Sequence, residues 1–76
     1  MADVTLDAKG LNCPLPILKA KKALKDVPLN GALEVLATDP GALADFQAFC
    51  RTTGNELAEH SVDGGVYRFL ILHRAG

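Results

Sequence analysis

Hydrophobic and polar residues follow two different periods along this chain. In four short stretches they alternate, which places every second side chain on one face of a β-strand. In two longer stretches apolar residues recur every three or four positions, which places them on one face of a helix. The strands are predicted at 4–7, 32–38, 56–62 and 66–73, and the helices at 14–26 and 40–53. The predicted order is therefore β-α-β-α-β-β.

Residues that favour turns and helix ends separate these elements. Asp39 is a good N-cap, and Pro40 fits the first turn of a helix, where its missing N–H removes no hydrogen bond. Gly54 is positioned to end that helix. The sequence Asp63-Gly64-Gly65 is typical of a tight turn between two paired strands. These signals predict a β-hairpin at the end of the chain.

The last predicted strand is apolar on both of its faces. One face carries Val66, Leu70 and Leu72, and the other carries Tyr67, Phe69 and Ile71. Apolar residues on both faces are typical of a central strand, which is covered on both sides. The first strand-helix-strand unit favours parallel strands, and two helices can cover only one face of four strands. We therefore expect an α/β chain of the α+β type, a two-layer βαβαββ sandwich. Its four-stranded mixed sheet should carry both helices on one face.

The composition fits a single small domain spanning residues 1–76. Hydrophobic residues make up 49% of the 76 residues, which suits one packed core but not two. The formal net charge of -1 disfavours a dedicated nucleic-acid-binding protein, which is usually clearly basic. No apolar run has membrane-spanning length, and the first residues lack the features of a signal peptide. We therefore expect a cytoplasmic protein, in which cysteines serve chemistry or packing more often than disulfides.

The segment Cys13-Pro14-Leu15-Pro16 places a thiol at the predicted start of the first helix. Proline is tolerated there because the first N–H groups of a helix have no partner within the helix. The partial positive charge at a helix N-terminus favours a thiolate over a thiol. We therefore predict that Cys13 is an exposed nucleophile with a lowered pKa and that Pro14 and Pro16 position it. Either Cys13 or Asn12 could cap the helix.

The sequence from Asp7 to Pro16, DAKGLNCPLP, resembles the signature of the TusA/SirA sulfur-carrier family. Thr38-Asp39-Pro40 before the second helix, Phe49-Cys50 late in it and Gly54 after it are also similar to that family. The resemblance extends over nearly the whole chain and includes the order of its elements. It implies the sandwich fold and a persulfide carried on Cys13, the cysteine of the C-P-x-P motif.

The resemblance also implies partner proteins. In family members a cysteine desulfurase or a rhodanese-like protein donates the sulfur, and a downstream protein accepts it. Branches of the family serve 2-thiolation of the tRNA wobble uridine, molybdenum-cofactor assembly or sulfur oxidation. No cofactor is implied besides the covalent sulfur on Cys13, and the spacing of cysteine and histidine residues does not suit a metal. We expect a monomer, because a relay must dock different partner proteins in turn. The charge and the hydrophobic pattern favour no direct contact to nucleic acid and no membrane partner.

Several residues leave alternatives open. The first helix carries four lysines (Lys19, Lys21, Lys22 and Lys25). Lys19 and Lys22 are the candidates for docking partners beside Cys13, but such a charged face can also be merely solvated. Cys50, on the apolar stripe of the second helix, is either buried and inert, which we favour, or a resolving thiol for Cys13.

Two alternative functions involve no sulfur chemistry. The chain could be an RNA-binding module, since its first helix is basic, or a regulatory protein-interaction module. In an RNA-binding module, replacing Lys19 and Lys22 would impair function more than replacing Cys13. A sulfur carrier predicts the reverse order.

Overall fold

The protein folds into a four-stranded sheet with two α-helices, as the computed structural model describes for residues 2–74. The strands are β1 (Val4–Ala8), β2 (Ala32–Ala37), β3 (Glu56–Asp63) and β4 (Val66–Leu72). The α-helices are α1 (Leu15–Ala23) and α2 (Ala42–Thr53), and a 3-10 turn at Leu24–Asp26 extends α1. The observed order of elements is the one predicted from the hydrophobic pattern.

The four strands lie side by side in the order β1-β2-β4-β3. β1 runs parallel to β2, whereas β4 runs antiparallel to both β2 and β3. The sheet is therefore mixed, and β4 is a central strand, as its apolar residues on both faces predicted. Because parallel strands end at the same edge of a sheet, the loops that follow β1 and β2 meet at that edge.

The core lies between one face of this sheet and the two helices. Val35 of β2 pairs with Phe69 of β4, and both side chains are fully buried. Phe46 of α2 packs on Phe69 with the ring centroids 4.8 Å apart, and Ala20 of α1 lies in the same buried cluster. Both helices thus cover the same face, which confirms the two-layer sandwich.

The opposite face of the sheet is partly open to solvent. Arg68 of β4 forms an ion pair there with Glu34 of β2, and both side chains remain partly exposed. Thr5 of β1 donates a hydrogen bond from its hydroxyl to Glu34 Oε1 at 3.3 Å. Polar contacts rather than a second layer therefore tie the three neighbouring strands together on this side.

The sequence predicted that α2 begins at Pro40, but the helix begins at Ala42. The Ala42 N–H donates to Asp39 O at 2.9 Å, and the Gly41 N–H donates to Asp39 Oδ1 at 3.1 Å. These bonds close a tight turn before the α-helix, so Gly41 is the N-cap residue. The prediction that Asp39 caps the helix was wrong because its carboxylate closes this preceding turn instead.

The other ends of the helices also depart slightly from the prediction. α1 begins at Leu15, with Pro14 as its N-cap residue, and its last predicted turn is 3-10 rather than α-helical. α2 ends at Thr53, and Gly54 is its C-cap residue with a left-handed φ of 81°, as predicted. Within residues 2–74, no helix is both long and apolar enough to cross a membrane.

The hairpin between β3 and β4 is confirmed. Gly64 and Gly65 have positive φ angles of 58° and 81°, which are the values required by the tight turn that suits strand twist. β3 lies at the edge of the sheet, and most of its side chains are exposed.

Candidate functional site

The Cys13 thiol is exposed at the edge of the sheet where β1 and β2 end. The Leu15 N–H donates to Asn12 O at 2.9 Å, and the Cys13–Pro14 peptide bond is cis, so residues 12–15 form a turn of the cis-proline class. The Leu18 N–H then donates to Pro14 O at 3.1 Å, which is the first hydrogen bond of α1. Cys13 therefore lies in the turn immediately before the helix.

The residues predicted to support Cys13 have distinct positions in this turn. No side chain caps α1, so neither Asn12 nor Cys13 is a side-chain cap, and Asn12 contributes its backbone carbonyl. Pro14 is the N-cap residue, and Pro16 is buried in the first turn of the helix. Both prolines sit where a missing N–H removes no helical hydrogen bond, as predicted.

A carboxylate from the neighbouring loop holds the backbone of Cys13. The Cys13 N–H donates to Asp39 Oδ2 at 2.8 Å, while Asp39 Oδ1 accepts from Gly41. Close by, the Gly10 N–H donates to Thr38 Oγ1 at 2.9 Å. Thr38 and Asp39 directly follow β2, and Gly10 and Cys13 follow β1. The two loops are thus tied together, and the backbone that carries the thiol is held at the end of the parallel strand pair.

The pKa of the Cys13 thiol is raised, which contradicts the lowered pKa predicted from the helix start. A hydrogen bond to the Asp45 side chain is the main cause, followed by partial desolvation and by the negative charges of Asp45 and Asp39. The thiol precedes the first helical residue, and the first turn of α2 brings the carboxylate of Asp45 to it. The prediction was wrong because these carboxylates, which are remote in the sequence, lie close to the thiol.

A groove between α1 and α2 opens beside this thiol. Its volume is about 450 Å³, and Ile17, Leu18 and Phe49 contribute apolar walls, while Lys21 and Asp45 contribute charges. Leu18 is 54% exposed, and Ile17 and Phe49 are partly exposed beside it. Exposed apolar side chains grouped in this way are typical of a surface that contacts another molecule.

The docking candidates Lys19 and Lys22 lie on the exposed surface of α1. Neither contributes to the walls of the groove, whereas Lys21 does. Their role as docking residues stays a prediction.

Cys50 is buried in the core, as predicted. Its residue surface is 4% exposed, and burial raises the pKa of its thiol to about 11. Cys13 and Cys50 are both free thiols. A buried thiol with so high a pKa is a poor nucleophile, which supports the interpretation of Cys50 as an inert packing residue.

The histidines have structural surroundings. His60 is exposed on β3, and a ring nitrogen of His73 lies 2.7 Å from Val27 O. Throughout the part of the chain that the structure describes, no group of three or more histidine, cysteine or acidic side chains could hold a metal ion.

Two features of the site were missed by sequence reasoning: the roles of Asp39 and Asp45. One signal could have found the first. Thr38-Asp39 follows a strand predicted to lie parallel to β1. Parallel strands end at the same edge of a sheet, so these side chains are expected to lie near the loop that carries Cys13. Asp45 gave no comparable signal, because its position depends on how α2 packs beside α1.

Comparison with known proteins identifies the family. Residues 4–72 match the family model described as sulfurtransferase TusA. The chain belongs to the TusA family. The signature at residues 7–16 had indicated this membership, and the matched range covers all four strands and both helices.

Related proteins agree with this assignment. The sulfur carrier protein TusA of Allochromatium vinosum is 56% identical over 69 residues, covering 91% of each chain. The TusA of Pseudomonas entomophila is 40% identical over 73 residues, covering 96% of this chain and 91% of that protein. The crystal structure of a SirA-like protein from Desulfitobacterium hafniense superposes with a TM-score of 0.81 at 30% identity. That match covers 93% of this chain and 97% of the other. The chain thus has the fold and the general sulfur-carrier character of the TusA family, which implies a sulfur donor and a sulfur acceptor.

Replacing Asp45 with asparagine should make the Cys13 thiol more reactive. The substitution removes the negative charge that favours the protonated thiol and leaves one oxygen acceptor beside an amide that can donate to a thiolate, so the pKa of Cys13 should fall. The thiolate fraction near neutral pH should rise, and the alkylation rate should rise several-fold with it. The measurement is the pH profile of Cys13 alkylation by iodoacetamide, whose midpoint should move to lower pH.

The matched control for this substitution is Asp26→Asn, which removes one exposed carboxylate from the end of α1. Its alkylation profile should coincide with that of the wild type. An unchanged midpoint in a folded Asp45→Asn protein would show that Asp45 does not govern the thiol.

Proposed function

We propose that the protein carries sulfur as a persulfide on Cys13, taking it from one protein and delivering it to another. The observation that carries this proposal is the exposed Cys13 thiol, fixed by Asp39 at the mouth of an apolar groove. Membership of the TusA family supports it, since Cys13 begins the Cys13-Pro14-Leu15-Pro16 segment that resembles the C-P-x-P motif of the family.

The proposed relay consists of two balanced exchange steps. In loading, the Cys13 thiolate attacks the outer sulfur of a donor persulfide, a new S–S bond forms, and the donor cysteine leaves as a thiolate. In delivery, an acceptor thiolate attacks the outer sulfur on Cys13, and Cys13 leaves as a thiolate. Neither step needs a net oxidant or reductant. Both depend on the thiolate fraction and on access to the sulfur.

The site favours transfer only when a partner is bound. The carboxylates of Asp45 and Asp39 raise the pKa of Cys13, so the resting thiol is mostly protonated near neutral pH. A protonated thiol reacts slowly with small electrophiles and with stray disulfides. A partner that neutralises these carboxylates would lower the pKa of Cys13 towards its ordinary value and so increase the thiolate fraction where it is needed.

The proposed donor is a cysteine desulfurase or a rhodanese-like protein, and the proposed acceptor is a further protein thiol. The sulfur could then enter tRNA 2-thiouridine, the molybdenum cofactor or a sulfur-oxidation route, as it does in branches of the family. We propose no cofactor other than the covalent sulfur. We place the relay in the cytoplasm, since a free exposed thiol suits a reducing compartment.

The decisive experiment is intact-protein mass spectrometry without reductant. The protein is incubated with a cysteine desulfurase, pyridoxal phosphate and cysteine, or with a rhodanese and thiosulfate. We expect the mass to increase by one sulfur atom with at least one donor and to return to its initial value after dithiothreitol. If neither donor adds sulfur to the folded protein, the carrier proposal is wrong.

A further inference from the structure

The groove beside Cys13 continues well beyond the thiol. A second hollow of about 410 Å³ adjoins the first, and the two share Lys21, Phe49 and Thr53. The second hollow extends from these residues to Leu24, Lys25 and His73. Together the two adjoining hollows line the α1–α2 seam, and we call the pair the seam groove. It runs from Cys13 to the far end of α1.

The seam groove has charges of opposite sign at its two ends. Asp45 lies at the Cys13 end, and the carboxylate of Asp39 also acts on the thiol there. Lys21 lines the middle, and Lys25 lines the far end. Apolar walls separate these charged groups. A molecule that matches the groove must therefore be extended and partly apolar. It must carry a positive group near Asp45 and negative groups near Lys21 and Lys25.

We infer that the seam groove receives the cysteine-bearing segment of a partner protein, with a basic residue beside that cysteine and acidic residues farther along. The basic residue would pair with Asp45, and the acidic residues would pair with Lys21 and Lys25. The inference rests on the proposed relay, because the segment's cysteine is the group that exchanges sulfur with Cys13. It adds the chemistry by which a partner is recognised.

Helix geometry sets the spacing within such a segment. With the turn before α1 counted at the helical rise of about 1.5 Å per residue and the 3-10 turn at about 2 Å, Lys21 and Lys25 lie about 12 and 19 Å from Cys13 along the helix direction. An extended peptide spans about 3.3 Å per residue. The acidic residues should therefore lie about four and about five to six positions from the partner's cysteine.

A polypeptide segment fits these charges better than a nucleic acid does. A phosphate backbone is negative along its whole length and would be repelled by Asp39 and Asp45 at the reactive end. A peptide can carry both signs of charge and also place apolar side chains against Leu18 and Phe49. The basic residue beside its cysteine would also weaken the effect of Asp45 and so favour the Cys13 thiolate.

The test uses thiol exchange at Cys13 and needs no sulfur. In a Cys50→Ala background, Cys13 is converted to its mixed disulfide with 5-thio-2-nitrobenzoate. A peptide thiolate attacks the Cys13 sulfur, the peptide-protein disulfide forms, and the coloured thiolate leaves. Two synthetic peptides of one composition are compared. One has arginine beside its cysteine and glutamates four and six positions away, and the other has these charges exchanged.

Neighbouring charges alter the reactivity of the peptide thiols themselves. Each rate is therefore divided by the rate of the same peptide with the 5-thio-2-nitrobenzoate disulfide of free cysteine. After this correction, the matched peptide should react about tenfold faster than the exchanged peptide at low salt, since each exposed pair contributes a few-fold. The advantage should shrink at high salt, where exposed charges are screened.

Paired charge reversals locate the effect. Lys21→Glu combined with Lys25→Glu should abolish the advantage of the matched peptide. Lys19→Glu combined with Lys22→Glu changes the net charge equally but alters residues outside the seam groove, so the advantage should persist.

Three results would overturn the inference: equal corrected rates for the two peptides, an advantage that survives in the Lys21/Lys25 variant, or an equal loss in both paired variants. Failure of sulfur loading with an intact peptide preference would refute the carrier proposal alone.

Discussion

Replacing Cys13 with serine is expected to abolish sulfur loading completely. A serine hydroxyl stays protonated near neutral pH and forms no persulfide, so neither step of the relay can occur. The change is nearly isosteric, and the backbone N–H that donates to Asp39 is retained. The fold should therefore persist, and the loss should reflect chemistry alone. Mass spectrometry after incubation with an active donor should show no added sulfur on the Cys13→Ser protein.

Cys50→Ala is the matched control, because it removes the other thiol from the chain. Cys50 lies in the core with 4% of its surface exposed, and alanine leaves only a small cavity there. This protein should load one sulfur, as the wild type does. Sulfur retained by Cys13→Ser and lost by Cys50→Ala would move the carrier site to Cys50. Loss in both proteins would indicate a mechanism that needs the two thiols together.

Features governed by neighbouring residues could be predicted from the sequence. The apolar residues on both faces of β4 predicted its central position, and Gly64-Gly65 predicted the hairpin turn. The buried position of Cys50 followed from its place on the apolar stripe of α2. Each signal lies within a few residues of the feature it predicts, so periodicity and turn chemistry are sufficient.

The electrostatics of the site could not be predicted in the same way. The helix start next to Cys13 predicts a lowered pKa from the local backbone alone. The pKa is raised because Asp45 and Asp39, which are remote in sequence, approach the thiol. Their approach depends on the parallel pairing of β1 with β2 and on the packing of α2 beside α1. The sign of such a shift is therefore a property of the tertiary structure.

Replacing Asp39 with alanine is expected to weaken the fold and the site together. The substitution removes the acceptor for the Cys13 N–H at 2.8 Å and for the Gly41 N–H at 3.1 Å. Hydrogen bonds to a charged group contribute about 1.5–3 kcal/mol each, and less where water reaches them, so we expect a loss of about 2 kcal/mol. For a chain of this size, that loss should lower the melting temperature by about 10 °C. Asp39→Asn, which keeps one oxygen acceptor, should lie between the wild type and Asp39→Ala.

Asp39→Ala should also change two reactions of Cys13 in opposite directions. Removal of a negative charge lowers the pKa of the thiol, so alkylation by iodoacetamide should become faster, as in Asp45→Asn. Loading by a protein donor should become slower, by about tenfold, because the turn that presents Cys13 is no longer held and misplacement of a reacting group is costly. Asp45→Asn leaves both hydrogen bonds of Asp39 in place and should keep the melting temperature of the wild type. If Asp39→Ala has the melting temperature of the wild type and loads sulfur at the wild-type rate, Asp39 does not position the thiol. If loading and alkylation rise together, the thiolate fraction alone sets the rate of sulfur transfer.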